Sequence, residues 1–197
     1  MSDTSTPPVY KKDTSRLQRL FRLLIATFDP RAWAHLAKLV NYYNYTNVSE
    51  VRKLTCGQNV RISPTTSFAN AENIVLGDHC RIGAGASLWA GPGQGKITLG
   101  EHCVLAPNVM MTAANYDYNA GSPFNDQPMK EANITVGRDV WLGYGVVVLA
   151  GAQIGDGAII GAGAVARGII PAGAIVVAAP AQTIGQRTGF GSDAPGA

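Results

Sequence analysis

The sequence predicts an all-β solenoid, a parallel β-helix of about five coils, with a helical extension at its N-terminus. Three observations support this prediction: a six-residue repeat that begins near residue 54, a high glycine content, and helical periodicity before the repeat. Glycine supplies 23 of the 197 residues, about 12% against a usual share of about 7%. Hydrophobic residues reach 46% and charged residues only 15%, which excludes a disordered chain.

The repeat consists of an apolar residue followed by glycine, with a small or branched residue four positions after the apolar one. These pairs begin at positions 56, 76, 82, 99, 136, 142, 154 and 160. Three hexads make one turn of a triangular coil, in which the apolar residue points into a narrow prism and glycine permits a tight corner. The coils therefore start at positions 56, 76, 99, 136 and 154, and residues 54–184 are assigned to the β-helix.

The spacing of the coil starts places one long insertion in the third coil. The intervals are 20, 23, 37 and 18 residues, and an uninterrupted coil has 18, so 19 extra residues fall within residues 112–135. A rigid scaffold commonly carries its functional residues on such loops. The insertion is therefore expected to carry the functional residues.

Residues 1–53 are predicted to form a flexible start and two amphipathic helices, and residues 185–197 a flexible tail. Apolar residues recur at helical spacing on both sides of Pro30, at Leu17, Leu20, Phe21, Leu24, Phe28, Trp33, Leu36, Ala37 and Val40. Arginines lie between them in the first helix. Two interpretations stay open: the apolar stripe packs on the body or on a neighbouring subunit, or residues 14–45 make weak contact with an anionic membrane surface.

Charge and cysteine content exclude several functional classes. The net charge of +3 divides into +5 for residues 1–53 and −2 for the rest, and the slightly acidic body has no nucleic-acid-reading motif. The three cysteines match neither a zinc pattern nor a disulfide framework, and the repeat places all three in the core. The N-terminus lacks the pattern of a signal peptide, so a cytoplasmic location is predicted.

Residues 134–184 carry a family resemblance. They contain the segments DVWLG and IGDGAIIGAG and the corner Ile170-Pro171. This stretch resembles hexapeptide-repeat acyltransferases, especially the galactoside, maltose and xenobiotic O-acetyltransferase group. The resemblance implies a left-handed β-helix, a homotrimer with active sites between subunits, and acetyl-CoA as the co-substrate without a metal. It further implies an O-acetyltransferase whose acceptor is a hydroxyl of a sugar or a polysaccharide precursor.

The resemblance also places the catalytic residues in the long insertion. Relatives carry a histidine as general base where this chain has Tyr116, so the candidates are Asn115, Tyr116 and Asp117. A free phenol titrates near pH 10 and a free aspartate near 3.9, whereas a base works best with a pKa near the working pH. The base is therefore left open among Tyr116, Asp117 and a histidine from elsewhere, His102 or His79. The alternative is a catalytically impaired acyl-CoA-binding or scaffold relative.

The donor site is expected along the last coils. In relatives, small residues there let the coenzyme approach the backbone, basic residues hold its phosphates, and a tryptophan lies beside the acceptor pocket. The matching positions in this chain are Trp141, Gly143, Gly161, Ala162, Ala164, Arg167 and Arg187.

Overall fold

The computed structural model describes residues 14–117, 121–178 and 182–186. The chain divides into two compact units, Met1–Tyr42 and Tyr43–Ala197. In the first unit, helix α1 spans Arg16–Thr27 and helix α2 begins at Pro30 and ends at Tyr43. Ser15 caps α1, because its hydroxyl accepts the backbone N–H of Gln18 while the Gln18 side chain accepts the N–H of Ser15.

Both helices have the amphipathic pattern that the sequence predicts, and neither contains a buried side chain. Leu17 and Phe28 keep 79% and 81% of their surface exposed. No helix in the described part of the chain is long and apolar enough to cross a membrane. Contact of residues 14–45 with a membrane surface therefore stays a prediction.

The second unit is built from short parallel strands stacked into three sheets, numbered here in chain order. The first sheet contains β1 (Thr55–Cys56), β4 (Ile74–Leu76), β7 (Ile97–Leu99), β12 (Ile134–Val136), β15 (Gln153–Ile154) and β18 (Ile169–Ile170). The second contains β2 (Arg61–Ile62), β5 (Arg81–Ile82), β8 (Val104–Leu105), β13 (Trp141–Leu142), β16 (Ile159–Ile160), β19 (Ala174–Val177) and β20 (Gln182–Gln186). The third contains β3 (Ser67–Ala69), β6 (Ser87–Trp89), β9 (Met110–Thr112), β14 (Val147–Val148) and β17 (Val165–Ala166).

The register of these strands confirms the predicted parallel β-helix. In the first sheet Leu76 pairs with Leu99, and Val136 follows in the next coil. All three side chains are buried. Glycine follows each of them because the coils touch there: a Cβ on Gly77 would lie 2.5 Å from the carbonyl carbon of Gly100. Six-residue spacing thus places one apolar side chain from every coil in the same column of the core.

The solenoid has one incomplete turn more than the five predicted coils. Strands β18 and β19 form the start of a sixth turn, which the repeat missed because Pro171 takes the place of glycine. Strand β20 then pairs antiparallel with β19, so the exposed edge of the second sheet is covered. Because β20 continues to Gln186, the ordered strand extends two residues past the predicted end at residue 184.

The other end of the solenoid is covered by residues that the sequence assigned to the helical extension. A π-helix, Asn44–Ser49, and a 3-10 helix, Glu50–Lys53, precede β1. The buried carboxylate of Glu50 accepts the backbone N–H of Ala71 at 3.0 Å and pairs with Lys53 at 2.5 Å. Burial alone would raise the pKa of Glu50, but these hydrogen bonds outweigh it and hold the pKa below its usual range.

The cysteines differ from the prediction at one position. Cys80 and Cys103 are buried as expected, and their thiols donate to the carbonyls of Gly100 and Gly137. The neighbouring Cys80 thiol and burial raise the pKa of Cys103. Cys56 is exposed, so its assignment to the core was wrong. It lies in the first coil, which has no preceding coil to cover it.

Candidate active site

The long insertion forms a hairpin at one corner of the prism. Strand β10 (Ala114–Tyr116) pairs antiparallel with β11 (Met129–Glu131), and a short 3-10 helix, Phe124–Asp126, lies between them. The hairpin leaves the end of the third sheet at β9 and returns to the first sheet at β12. Asn115 and Tyr116 are exposed on it, whereas Ala114 is buried at its base. The solenoid therefore presents these two side chains from a rigid support.

Glu131 anchors the hairpin to the preceding coil. Its carboxylate accepts the backbone N–H groups of Gly93 at 2.7 Å, Gln94 at 2.8 Å and Gly95 at 3.2 Å. These bonds, chiefly those from Gln94 and Gly93, hold the pKa of Glu131 below its usual range. The contact was missed from the sequence, although the glycines at 91, 93 and 95 signal a loop whose backbone another group can approach.

The three predicted catalytic residues have different surroundings. The Tyr116 ring lies edge-on to Phe124 with centroids 6.2 Å apart, and 40% of the residue is exposed. The backbone N–H of Tyr116 donates to Asn115 Oδ1 at 2.9 Å, so the Asn115 side chain shapes its own loop. Asp117 Oδ1 lies 2.9 Å from Lys130 Nζ on the facing strand. The carboxylate of Asp117 is thus engaged by a cation.

A second group of chemically active side chains lies on the outer face of the second sheet. Trp141 is exposed there between Val104 and Ile159, its partners on the neighbouring strands. These three residues line a cleft of about 360 Å³ together with His102 and Asp139. The cleft therefore combines an aromatic platform, an imidazole and a carboxylate.

His102 belongs to a ladder of corner residues between the first and second sheets. His79 and His102 occupy this corner in successive coils, both with φ of 59°, a conformation for which histidine is enriched among non-glycine residues. Their rings stack with centroids 4.7 Å apart. Both imidazoles are exposed, while the cysteine after each one is buried. The shared register explains the repeated His-Cys pair, and the described residues contain no cluster of three metal-ligating side chains.

Comparison with known proteins identifies the family. The model for bacterial transferase hexapeptide (six repeats) matches residues 133–168, and the model for the hexapeptide repeat of succinyl-transferase matches residues 73–113. The chain is 27% identical over 155 residues to the galactoside O-acetyltransferase of Escherichia coli (strain K12), with 74% of each chain covered. These matches support the family that the sequence suggested, the hexapeptide-repeat acyltransferases.

Two further comparisons support this membership. The acyltransferase is 31% identical over 126 residues to the putative lipopolysaccharide biosynthesis O-acetyl transferase WbbJ of Escherichia coli (strain K12), spanning 58% of each chain. A solved structure of galactoside acetyltransferase in complex with coenzyme A superposes with a TM-score of 0.61 at 27% identity. That superposition covers 76% of this chain and 78% of the other.

The acyltransferase's predicted donor residues lie in several places on the prism, with Trp141 on the second sheet. Gly143, Gly161 and Ala162 lie together at the corner between the second and third sheets, where a Cβ on Gly143 would come within 2.7 Å of the Ala162 nitrogen. Ala164 is buried in the core. Arg167 is exposed just after β17, at the corner that carries the hairpin two coils earlier. Arg187 lies outside the described residues.

Proposed function

We propose that this acyltransferase transfers the acetyl group of acetyl-CoA to a hydroxyl of a sugar or a polysaccharide precursor. Its relatives are named O-acetyltransferases of galactosides and of lipopolysaccharide biosynthesis. A similar fold has been solved in complex with coenzyme A. Arg167, Arg187 and the small residues of the last coils would hold the donor. The proposal of a sugar acceptor rests on the names of these relatives.

The positions of the hairpin and of Trp141 support the proposal of a homotrimer with active sites between subunits. The hairpin with Tyr116 leaves the corner between the third and first sheets, and Trp141 lies on the second sheet. In a triangular prism that corner is opposite the second sheet. A site that combines the hairpin with the Trp141 cleft therefore needs two copies of the chain, one supplying each side.

The reaction requires a proton acceptor, and we assign this role to His102. As the hydroxyl oxygen attacks the thioester carbonyl, its proton passes to the base, and the base then protonates the departing thiolate of coenzyme A. Asp117 is paired with Lys130, whereas the unprotonated nitrogen of a neutral imidazole can accept a proton. Of the described histidines, only His102 lines the cleft of Trp141.

Tyr116 takes a different role in this scheme. Its exposed side chain stands where relatives carry the loop histidine, and its packing against Phe124 orients the ring. A phenol is a good hydrogen-bond donor near neutral pH. We therefore assign Tyr116 to hold the acceptor or the thioester oxygen while His102 removes the proton.

An acetyl-transfer assay tests the proposal. Purified protein is incubated with [14C]acetyl-CoA and a panel of glycosides, free sugars and sugar nucleotides, and acetylated products are detected by mass spectrometry. Transfer to at least one hydroxyl is expected. Calorimetric binding of acetyl-CoA without transfer to any acceptor would instead favour an impaired acyl-CoA-binding relative. Neither binding nor transfer would indicate a scaffold protein and overturn the proposal.

A further inference from the structure

Two arginines lie side by side on the outer face of the second sheet. Arg61 of β2 and Arg81 of β5 are register partners and both are exposed. Paired strands lie about 4.8 Å apart, and like charges placed directly opposite each other are unfavourable. Within the described part of the chain, Lys53, Lys130 and Arg138 form ion pairs but these two guanidinium groups form none. The fold therefore holds two uncompensated positive charges together.

The arginines line a cleft that is rich in hydrogen-bond donors. The cleft has a volume of about 400 Å³ and its lining residues are Asn59, Val60, Arg61, His79 and Arg81. Two guanidinium forks, an imidazole and an amide converge there, and no carboxylate lines it. Asp78, which precedes His79, uses its Oδ1 to accept the backbone N–H of Gln58 at 2.7 Å. The cleft thus offers cations and donors without an internal anion.

The geometry points to a binding site for the diphosphate group of a phosphorylated sugar acceptor. Guanidinium forks match the oxygens of a phosphate, and each arginine carries five N–H donors. A diphosphate has two adjacent anionic phosphoryl groups, so one guanidinium can bind each. His79 and Asn59 supply further donors at the edge of the cleft. This inference rests on the proposed sugar acetylation and names the class of its acceptor.

The position of the cleft favours the acceptor over the donor. Arg81 pairs with Val104 and Val104 pairs with Trp141, so Arg81 and Trp141 are two strands, or about 10 Å, apart on one face. A sugar linked to a diphosphate held at Arg61 and Arg81 would lie over this stretch and direct a hydroxyl towards His102. The proposed donor contacts belong instead to the last coils, at the other end of the solenoid.

Calorimetric titration with inorganic pyrophosphate tests the site directly. The wild-type protein is compared with Arg61→Gln and Arg81→Gln, with Lys96→Gln as a charge-matched control at an exposed position outside the cleft. Each arginine variant is expected to raise the Kd at least tenfold, because a charge-assisted hydrogen bond is lost. The control should bind as the wild type does. Failure of the wild type to bind, or equal binding by the arginine variants, would overturn the proposal.

Three further ligands identify the source of the diphosphate. UDP represents a sugar nucleotide, farnesyl diphosphate a lipid-linked sugar, and coenzyme A the donor. The proposal expects UDP or farnesyl diphosphate to compete with pyrophosphate, and the Arg61→Gln/Arg81→Gln double variant to keep wild-type affinity for coenzyme A. A parallel loss of coenzyme A affinity would assign the arginines to the donor and contradict the acceptor site.

The two proposals can fail separately. Pyrophosphate binding without acetyl transfer to any acceptor would contradict the proposed activity and leave the anion site intact. Acetyl transfer without pyrophosphate binding would contradict the anion site alone. The side-chain resonances of His79 give a readout independent of activity, since they should shift on addition of pyrophosphate in the wild type and not in Arg81→Gln.

Discussion

The imidazole rings of His79 and His102 stack with their centroids 4.7 Å apart and their planes inclined by 14°. The two residues hold the same corner of successive coils, so one faces the cleft of Arg61 and Arg81 and the other the cleft of Trp141. Their chemical environments therefore differ although their rings touch. The pair joins the proposed anion site to the proposed acetylation site along one face.

Replacement of His102 should remove the proton acceptor. His102→Asn is expected to lower kcat by about 10²–10⁴-fold, with little change in the KM for acetyl-CoA. In the wild type, kcat/KM should fall as the pH falls, because a protonated imidazole cannot accept a proton, and this acidic limb should be lost in the variant.

The matched variant for this test is His79→Asn, which alters the neighbouring corner. It should retain the acidic limb and lose mainly affinity for a phosphorylated acceptor. A wild-type pH profile and rate in His102→Asn would refute the assignment of the base.

A histidine at position 116 should increase activity. Tyr116→His places at the hairpin the imidazole that the family resemblance implies, which keeps an N–H donor and adds a second proton acceptor, so kcat/KM is expected to rise at least about tenfold. Tyr116→Phe keeps the ring against Phe124 but removes the hydroxyl, so its kcat should fall below that of the wild type. If Tyr116→His gains nothing on any acceptor, the hairpin does not border the reacting groups.

The anchor at Glu131 should make the hairpin sensitive to pH. Its folded-state pKa is lowered, so the carboxylate stabilises the fold above the unfolded pKa, near 4.3, and this contribution is lost as the pH falls through the folded value. In the wild type, the protection factors of the Gly93 and Gln94 amides against hydrogen exchange should therefore fall as the pH drops through the folded-state pKa of Glu131.

Glu131→Gln should lower the protection of the Gly93 and Gln94 amides against hydrogen exchange at neutral pH as well. Glu101→Gln, at an exposed corner, is the control and should behave as the wild type does. Unchanged protection of Gly93 in Glu131→Gln would show that the carboxylate does not hold the two loops together.

A core substitution in a central coil should destabilise the whole solenoid. Leu142 is fully buried between Leu105 and Ile160, and Leu142→Ala is expected to lower the free energy of unfolding by about 2–5 kcal/mol. Val104→Ala, at an exposed position on the neighbouring strand, should cost much less. Denaturant titration followed by circular dichroism measures both, and equal losses would contradict the predicted inward column.

Much of this fold follows from local sequence. An apolar residue and a glycine every six positions are enough to place Leu76, Leu99 and Val136 in one column, because a strand, a corner and a small inward residue are each decided within one hexad. The same spacing located the insertion at residues 112–135. It missed the sixth turn, where Pro171 replaces glycine, and it assigned Cys56 to the core although this residue is exposed at the start of the first coil.

The candidate site depended on tertiary structure. Glu131 meets Gly93, Arg61 lies beside Arg81, and His102 shares a cleft with Trp141, although these pairs are separated by 38, 20 and 39 residues. Coils of unequal length make these separations irregular, so no fixed spacing in the sequence marks them. The hexads by themselves determined the solenoid and the place of its loop. Only the stacking of whole coils decided which charged and aromatic side chains became neighbours.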